Sequence, residues 1–204
     1  MSHAATMSTS PMEAPVRREP GAGVYNEKLG MWVFLASEVM FFTGLIGSYI
    51  ILRYAHPEAW AAPGETLNVP VTAVNTFLLI CSSVTMVKAF AAVQDGRQAA
   101  LLRWLLATTL IGATFVGVQV YEYRELLSHG FGPSTGLYGS TFYTMTGFHG
   151  FHVSIGVICL AFVTWRAFRG AYTAADHRGV EILGLYWHFV DLVWIILFTI
   201  VYLI

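Results

Sequence analysis

The sequence predicts an all-α, polytopic membrane protein, a bundle of five transmembrane helices. Apolar residues make up 56% of the 204, mean hydropathy is +0.60, and only 11% of residues are charged. A soluble domain carries about 25% charge. The apolar residues also fall in runs that reach the ~20 residues needed to cross a hydrocarbon core of ~30 Å. There are five such runs, at about 29–53, 69–93, 101–123, 138–166 and 182–204. A formal net charge of −1 gives no argument for a nucleic-acid partner. The two cysteines, Cys81 and Cys159, lie inside apolar runs. They are too few for a disulfide scaffold or a thiolate metal site, and read as small buried hydrophobes.

Residues 1–27 are rich in Ala, Ser, Pro and Gly and contain no apolar core. They predict a flexible tail rather than a secretory signal. Glu13, Glu19 and Glu27 argue against an acid-poor mitochondrial presequence. Residues 28–204 then form the membrane domain. Its runs are punctuated by "HPEAWAAPGETLNVP", "QDGRQ" and "SHGFGPSTG", each dense in turn-forming residues. Trp104 and Trp165 stand at span ends, as interfacial aromatics do. Lys88 is placed to snorkel to headgroups. Glu122, Arg124 and Glu125 in "QVYEYREL" fall where the third run stops and read as a solvated helix end.

Five spans put the termini on opposite sides. Arg17, Arg18, Lys28, Lys88, Arg97, Arg103, Arg166, Arg169 and Arg178 fall in one set of flanking segments; Arg53 and Arg124 fall in the other. The positive-inside rule therefore places the N-terminus in the cytoplasm and the C-terminus outside. With a rise of ~1.5 Å per residue, Glu38 lies about 14 Å into the first span and Asp191 about 14 Å into the fifth. His149 and His152 fall near the middle of the fourth, and His188 lies nearer the cytoplasmic face. Three pairs, Gly44/Ser48, Ala113/Gly117 and Gly150/Ser154, have the small-xxx-small spacing that lets helices approach closely.

Ionisable residues at membrane depth are candidate functional groups by default. Here they are Glu38, His149, His152, His188 and Asp191, with Gln119 and Asn75 as neutral company. One reading is metal or haem ligation: His149 and His188 could face each other as axial ligands. The Glu-x-x-His spacing of a di-iron bundle occurs nowhere in the chain. A second reading is a proton relay through Glu38, beside Ser37, although a complete relay needs a ladder of such groups reaching both faces. The third is structural. His188 and Asp191 are three apart on one helical face, as are His149 and His152, and a hydrogen-bonded network would fix helix register without chemistry. On residue chemistry alone the structural reading leads.

The segments "WVFLASEVMFF", "NTFLLICSSVT", "GVQVYEY", "TGFHGFHVSIG" and "YWHFVDLVWI", in this order and spacing, resemble subunit III of the haem–copper oxidases. The likeness runs from about Lys28 to the C-terminus. Longer members have seven spans; this chain resembles the five-span bacterial form. One wall of a lipid-filled cleft would then be missing, leaving the cleft open or walled by another subunit.

The resemblance implies an accessory subunit of a terminal respiratory oxidase in the bacterial inner membrane, where the complex reduces dioxygen to water and builds a proton gradient. No cofactor is expected in this chain; haem and copper belong to partner subunits. The implied partners are catalytic subunit I, subunit II, a possible subunit IV, and phospholipids. By position, Glu38 matches the family's intramembrane carboxylate, tied to lipid binding and proton uptake. Arg166 matches a lipid-headgroup arginine and His177 a loop histidine. Asp176 stands where the family has a headgroup contact. His149, His152, His188 and Asp191 are implied as an internal polar network. Glu38, where many quinol-oxidase relatives have aspartate, favours cytochrome c as electron donor. The alternatives are a quinol oxidase subunit, the related protein found with nitric oxide reductases, or an autonomous haem or di-iron protein.

Overall fold

The computed structural model describes residues 25–60 and 67–203. Five helices fill them: α1 (Asn26–Ala55), α2 (Val69–Gln94), α3 (Gln98–Ser128), α4 (Leu137–Phe168) and α5 (Arg178–Phe198). A short 3-10 turn, Pro57–Ala59, follows α1, and α5 widens into a π-helical turn at Thr199–Leu203. All five helices are long and apolar enough to cross a membrane, as the hydropathy predicts. The expected tail lies outside the described residues except for its last three. At 1.5 Å per residue the 30 residues of α1 span ~45 Å, so its ends reach beyond the hydrocarbon core.

Local chemistry sets the helix ends. The Asn68 side chain accepts from Val71 N–H at 3.4 Å, and Pro70 sits in the first turn of α2, where its missing N–H costs nothing. At the end of α2, Gly96 N–H donates to Val93 O at 3.1 Å and Arg97 N–H to Ala92 O at 2.9 Å. This closure needs a left-handed residue, and Gly96 adopts φ +70°. Gly170 closes α4 by the same pair of bonds with φ +72°. Such abrupt stops bring consecutive helices back antiparallel.

Helices α2, α3, α4 and α5 pack in a ring, each against the next and α5 back against α2; α1 lies outside it, on α4 and α5. The core holds Trp187, Trp194, Phe115, Phe142, Met86 and Leu105, all almost fully buried. Polar ties join the ring, since lipid gives little hydrophobic drive for helices to associate. Trp187 Nε1–H donates to Ser82 Oγ and Trp194 Nε1–H to Thr76 Oγ1, each at 2.9 Å. Thr85 and Thr108 share a hydrogen bond at 2.7 Å. Gln119 donates to Thr146 O at 3.2 Å. By contrast α1 buries only Phe42 and Tyr49. Both its ends are tethered: Lys28 and Tyr25 to Glu181 at 2.5 and 2.7 Å, and Arg53 to the Ile200 carbonyl at 3.3 Å.

Three expectations are corrected. Glu122 is not a solvated helix end: α3 continues to Ser128, the side chain is buried, and Thr72 of α2 donates to it. Of the small-residue pairs, only Gly150/Ser154 lies at an internal seam, where a Cβ on Gly150 would meet the Gln119 amide at 2.9 Å. Gly44 and Gly117 face open space, and the tight crossings are instead Gly112 and Gly156 against Trp187. Cys159 is exposed rather than buried.

Candidate functional site

The structure divides the candidate residues among several settings. At the α1–α4 seam, Glu38 Oε2 lies 3.0 Å from His152 Nε2, with side chains 16% and 13% exposed. The other ring nitrogen, Nδ1, sits 2.7 Å from the Phe148 carbonyl. A carbonyl only accepts, so Nδ1 carries a hydrogen. The 3.0 Å approach of Nε2 to a carboxyl oxygen then places one further proton between the two groups, on the ring or on the carboxyl. Glu38 and His152 thus form a one-proton pair at membrane depth. Around it stand Phe41, Phe42 and Phe151, with ring centroids 6.2, 5.2 and 5.9 Å from the imidazole. Ser37, beside Glu38 in sequence, turns away and donates to Phe34 O.

Removing one member of this pair leaves the other in a medium that offers no hydrogen bonds. His152→Phe is expected to destabilise the chain by about 1–3 kcal/mol, and adding Glu38→Gln should recover part of that loss. Equilibrium unfolding in mixed detergent micelles measures both.

At the α2–α5 seam, Ser83 Oγ donates to Asp191 Oδ2 at 2.5 Å and lies 3.2 Å from His188 Nδ1. His188 and Asp191 therefore meet through Ser83 rather than directly. Sequence reasoning missed that serine as a site residue; a small polar pair, "SS", inside an apolar run was the available signal.

His149 joins neither group. Its ring is fully buried and stacks on Trp194 at 4.8 Å, with Phe115 and Phe42 edge-on at 6.3 and 6.4 Å. Neither ring nitrogen has a hydrogen-bond partner among the described residues. Nor does His149 contact His188 there, so the facing imidazoles that axial haem ligation needs are not formed. Among the described residues, no three His, Cys, Asp or Glu side chains gather as a metal site.

The basic end of the bundle holds Arg166, Arg169 and His177. The exposed Arg166 guanidinium lies 5.4 Å from the Tyr172 ring, and that of Arg169 lies 5.4 Å from Trp165. Such cation–aromatic pairs favour the interface, where the ring is wet on one side and apolar on the other. His177 precedes α5; its Nδ1–H donates to Ala174 O at 2.9 Å and its ring meets Phe90 edge-on. Asp176 receives Arg178 Nε at 3.1 Å, and that hydrogen bond and charge hold its carboxyl below the ordinary aspartate range. This carboxylate is therefore turned to an arginine of its own chain. Arg166 and His177 share no contact among the described residues.

At the opposite end, Glu122, Glu125, Asn68, His129 and Tyr202 line an open cavity of about 540 Å³. Sequence reading missed it because Glu122 falls at the margin of an apolar run.

A family model described as cytochrome c oxidase subunit III matches residues 21–204. The chain is 43% identical over 176 residues to a cytochrome c oxidase subunit 3 of Thermostichus vulcanus, covering 86% of each chain. It is 42% identical to a probable cytochrome c oxidase subunit 3 of Mycobacterium bovis, covering 86% of this chain and 87% of the relative. It is 33% identical to a cytochrome bo(3) ubiquinol oxidase subunit 3 of Pseudomonas aeruginosa, covering 87% and 85%.

Proposed function

The chain belongs to the cytochrome c oxidase subunit III family, and on that premise we propose that it is a cofactor-free accessory subunit that steadies the dioxygen-reducing subunit and holds phospholipid against it. Membership makes it a subunit of a haem–copper oxidase, and its five apolar helices make it a multi-pass protein of the bacterial inner membrane. The proposal concerns its part in that complex.

The observation that supports this part is where the ionisable groups are spent. Glu38 is paired with His152, Asp191 and His188 with Ser83, and His149 is enclosed by aromatic rings. These groups organise helices instead of presenting an open set of ligands. Arg166 and His177 would take the lipid headgroup, with the Arg166–Tyr172 pair at the interface. The Glu38–His152 pair would hold its proton near the path by which the catalytic subunit takes protons up. In this assignment the basic end is cytoplasmic, as the nine basic residues there favour. Higher identity to relatives named for cytochrome c oxidase than to the one named for a ubiquinol oxidase supports cytochrome c as donor.

Mild-detergent purification through a tag on the N-terminus tests the assignment. Haem and copper should arrive with larger oxidase subunits and be absent from the chain once it is stripped free. Stoichiometric haem or iron retained by the isolated chain would overturn it.

A further inference from the structure

The strip of α5 between α1 and α2 carries a hydrogen-bonding group that meets no partner among the described residues. Both α1 and α2 pack on α5, yet they do not pack comparably on each other, so α5 forms the floor of a groove between them. His188 lies on that floor, ten residues and ~15 Å along the helix from Arg178, well beyond headgroup depth.

The state of the His188 ring follows from its neighbours. Ser83 donates its hydroxyl hydrogen to Asp191, so its oxygen is left to accept, and the imidazole Nδ1 must be the donor. In the neutral ring this leaves Nε2 as a bare acceptor. Nε2 is not among the enclosed polar atoms and has no hydrogen-bond partner among the described residues. Asp191, itself buried, thus sets through Ser83 the tautomer that His188 presents outward. Exposed apolar side chains frame it: Ile80 and Val87 of α2, one turn either side of Ser83, and Leu192 of α5, one turn beyond His188.

We propose that this groove receives a transmembrane helix of another subunit of the oxidase, which donates a hydrogen bond from a hydroxyl, amide or indole N–H to His188 Nε2. The chemistry selects that occupant. Lipid chains offer no donor, and an acceptor left open at this depth is unfavourable. A neighbouring helix satisfies its own backbone, fills an apolar groove and can carry one polar side chain at the matching depth. The proposal rests on the chain working within an oxidase complex, and it names the face by which it docks.

A photo-crosslinking residue placed at Leu192 or Val87 in the intact complex tests the face, with Ile158 and Phe162 on the outer side of α4 as comparison positions. Leu192 and Val87 should both crosslink to one oxidase subunit identified by mass spectrometry. His188→Phe should reduce that crosslink about threefold, and His188→Gln, which keeps an acceptor near the Nε2 position, should restore it. Crosslinks to lipid alone, or protein crosslinks only from Ile158 and Phe162, would overturn the docking face while leaving the subunit assignment intact. An unchanged yield in His188→Phe would overturn the hydrogen bond. A preparation without oxidase subunits would overturn the assignment and this proposal with it.

Discussion

Stripping this chain from the purified oxidase should leave the initial rate of dioxygen reduction nearly unchanged while shortening the working lifetime of the enzyme about tenfold. The two quantities are separable because operational stability is a rate of its own, set by the barrier to irreversible loss. An initial rate reports groups that touch the reacting atoms. In this chain Glu38 is bonded to His152, and Asp191 and His188 to Ser83, while His149 is enclosed by aromatic rings, so the first turnovers have little to lose. In the proposed role, removal takes away the packed surface and the lipid that Arg166 would hold, so each later turnover would run on a less constrained catalytic subunit. Progress curves at fixed oxygen, fitted for initial rate and inactivation constant, give both numbers. Equal survival with and without the chain would sink the accessory role. A loss of initial rate proportional to removal would mean that the chain contributes a group to the reaction. The variant Glu38→Gln sharpens the test: if the one-proton pair matters only for sustained uptake, the inactivation constant should rise while the initial rate holds.

Hydropathy made the five helices legible because lipid demands apolar length, and turn-dense breaks such as "QDGRQ", which holds Gly96, marked where helices close. What hydropathy does not carry is azimuth. On a soluble helix the apolar stripe points at the core; here the lipid-facing and core-facing sides are both apolar, and that signal disappears. Gly44/Ser48 and Gly112 therefore read alike in sequence, although the first faces open space and the second meets Trp187. The same blindness divided the polar residues wrongly. Glu38 looked solitary because its partner, His152, comes from a helix more than a hundred residues later. Glu122 looked solvated because Thr72 lies fifty residues before it. His149 and His152, three apart, were expected to act together, yet one stacks on Trp194 and the other meets α1.

Trp187→Ala should be among the most damaging single substitutions in the chain, because that indole is the wedge around which the four-helix ring closes. The side chain is 1% exposed, and its Nε1–H donates to Ser82 on α2. Its six-membered ring reaches α3 and α4 only because both are bare there. A Cβ at Gly112 would sit 2.6 Å from Trp187 Cη2, and one at Gly156 would sit 2.9 Å from Cζ3. One residue thus sets the distance between α5 and three other helices. Removing it leaves a large cavity that backbone shifts can only partly fill, at a cost of about 3–5 kcal/mol, and takes away the hydrogen bond that Ser82 Oγ accepts. The reciprocal change should also be harmful: Gly156→Ala forces its methyl into an indole fixed on its other side by Gly112. The two effects share one space, so they should not add. In a Trp187→Leu background, where the ring is gone, Gly156→Ala should cost much less than in the native chain. Unfolding titrations of the four proteins of this cycle in mixed micelles decide the matter. Additive losses would show that the close approach of α4 and α5 does not depend on the fit between that glycine and the indole. A strong coupling would identify the fit as what holds the ring closed.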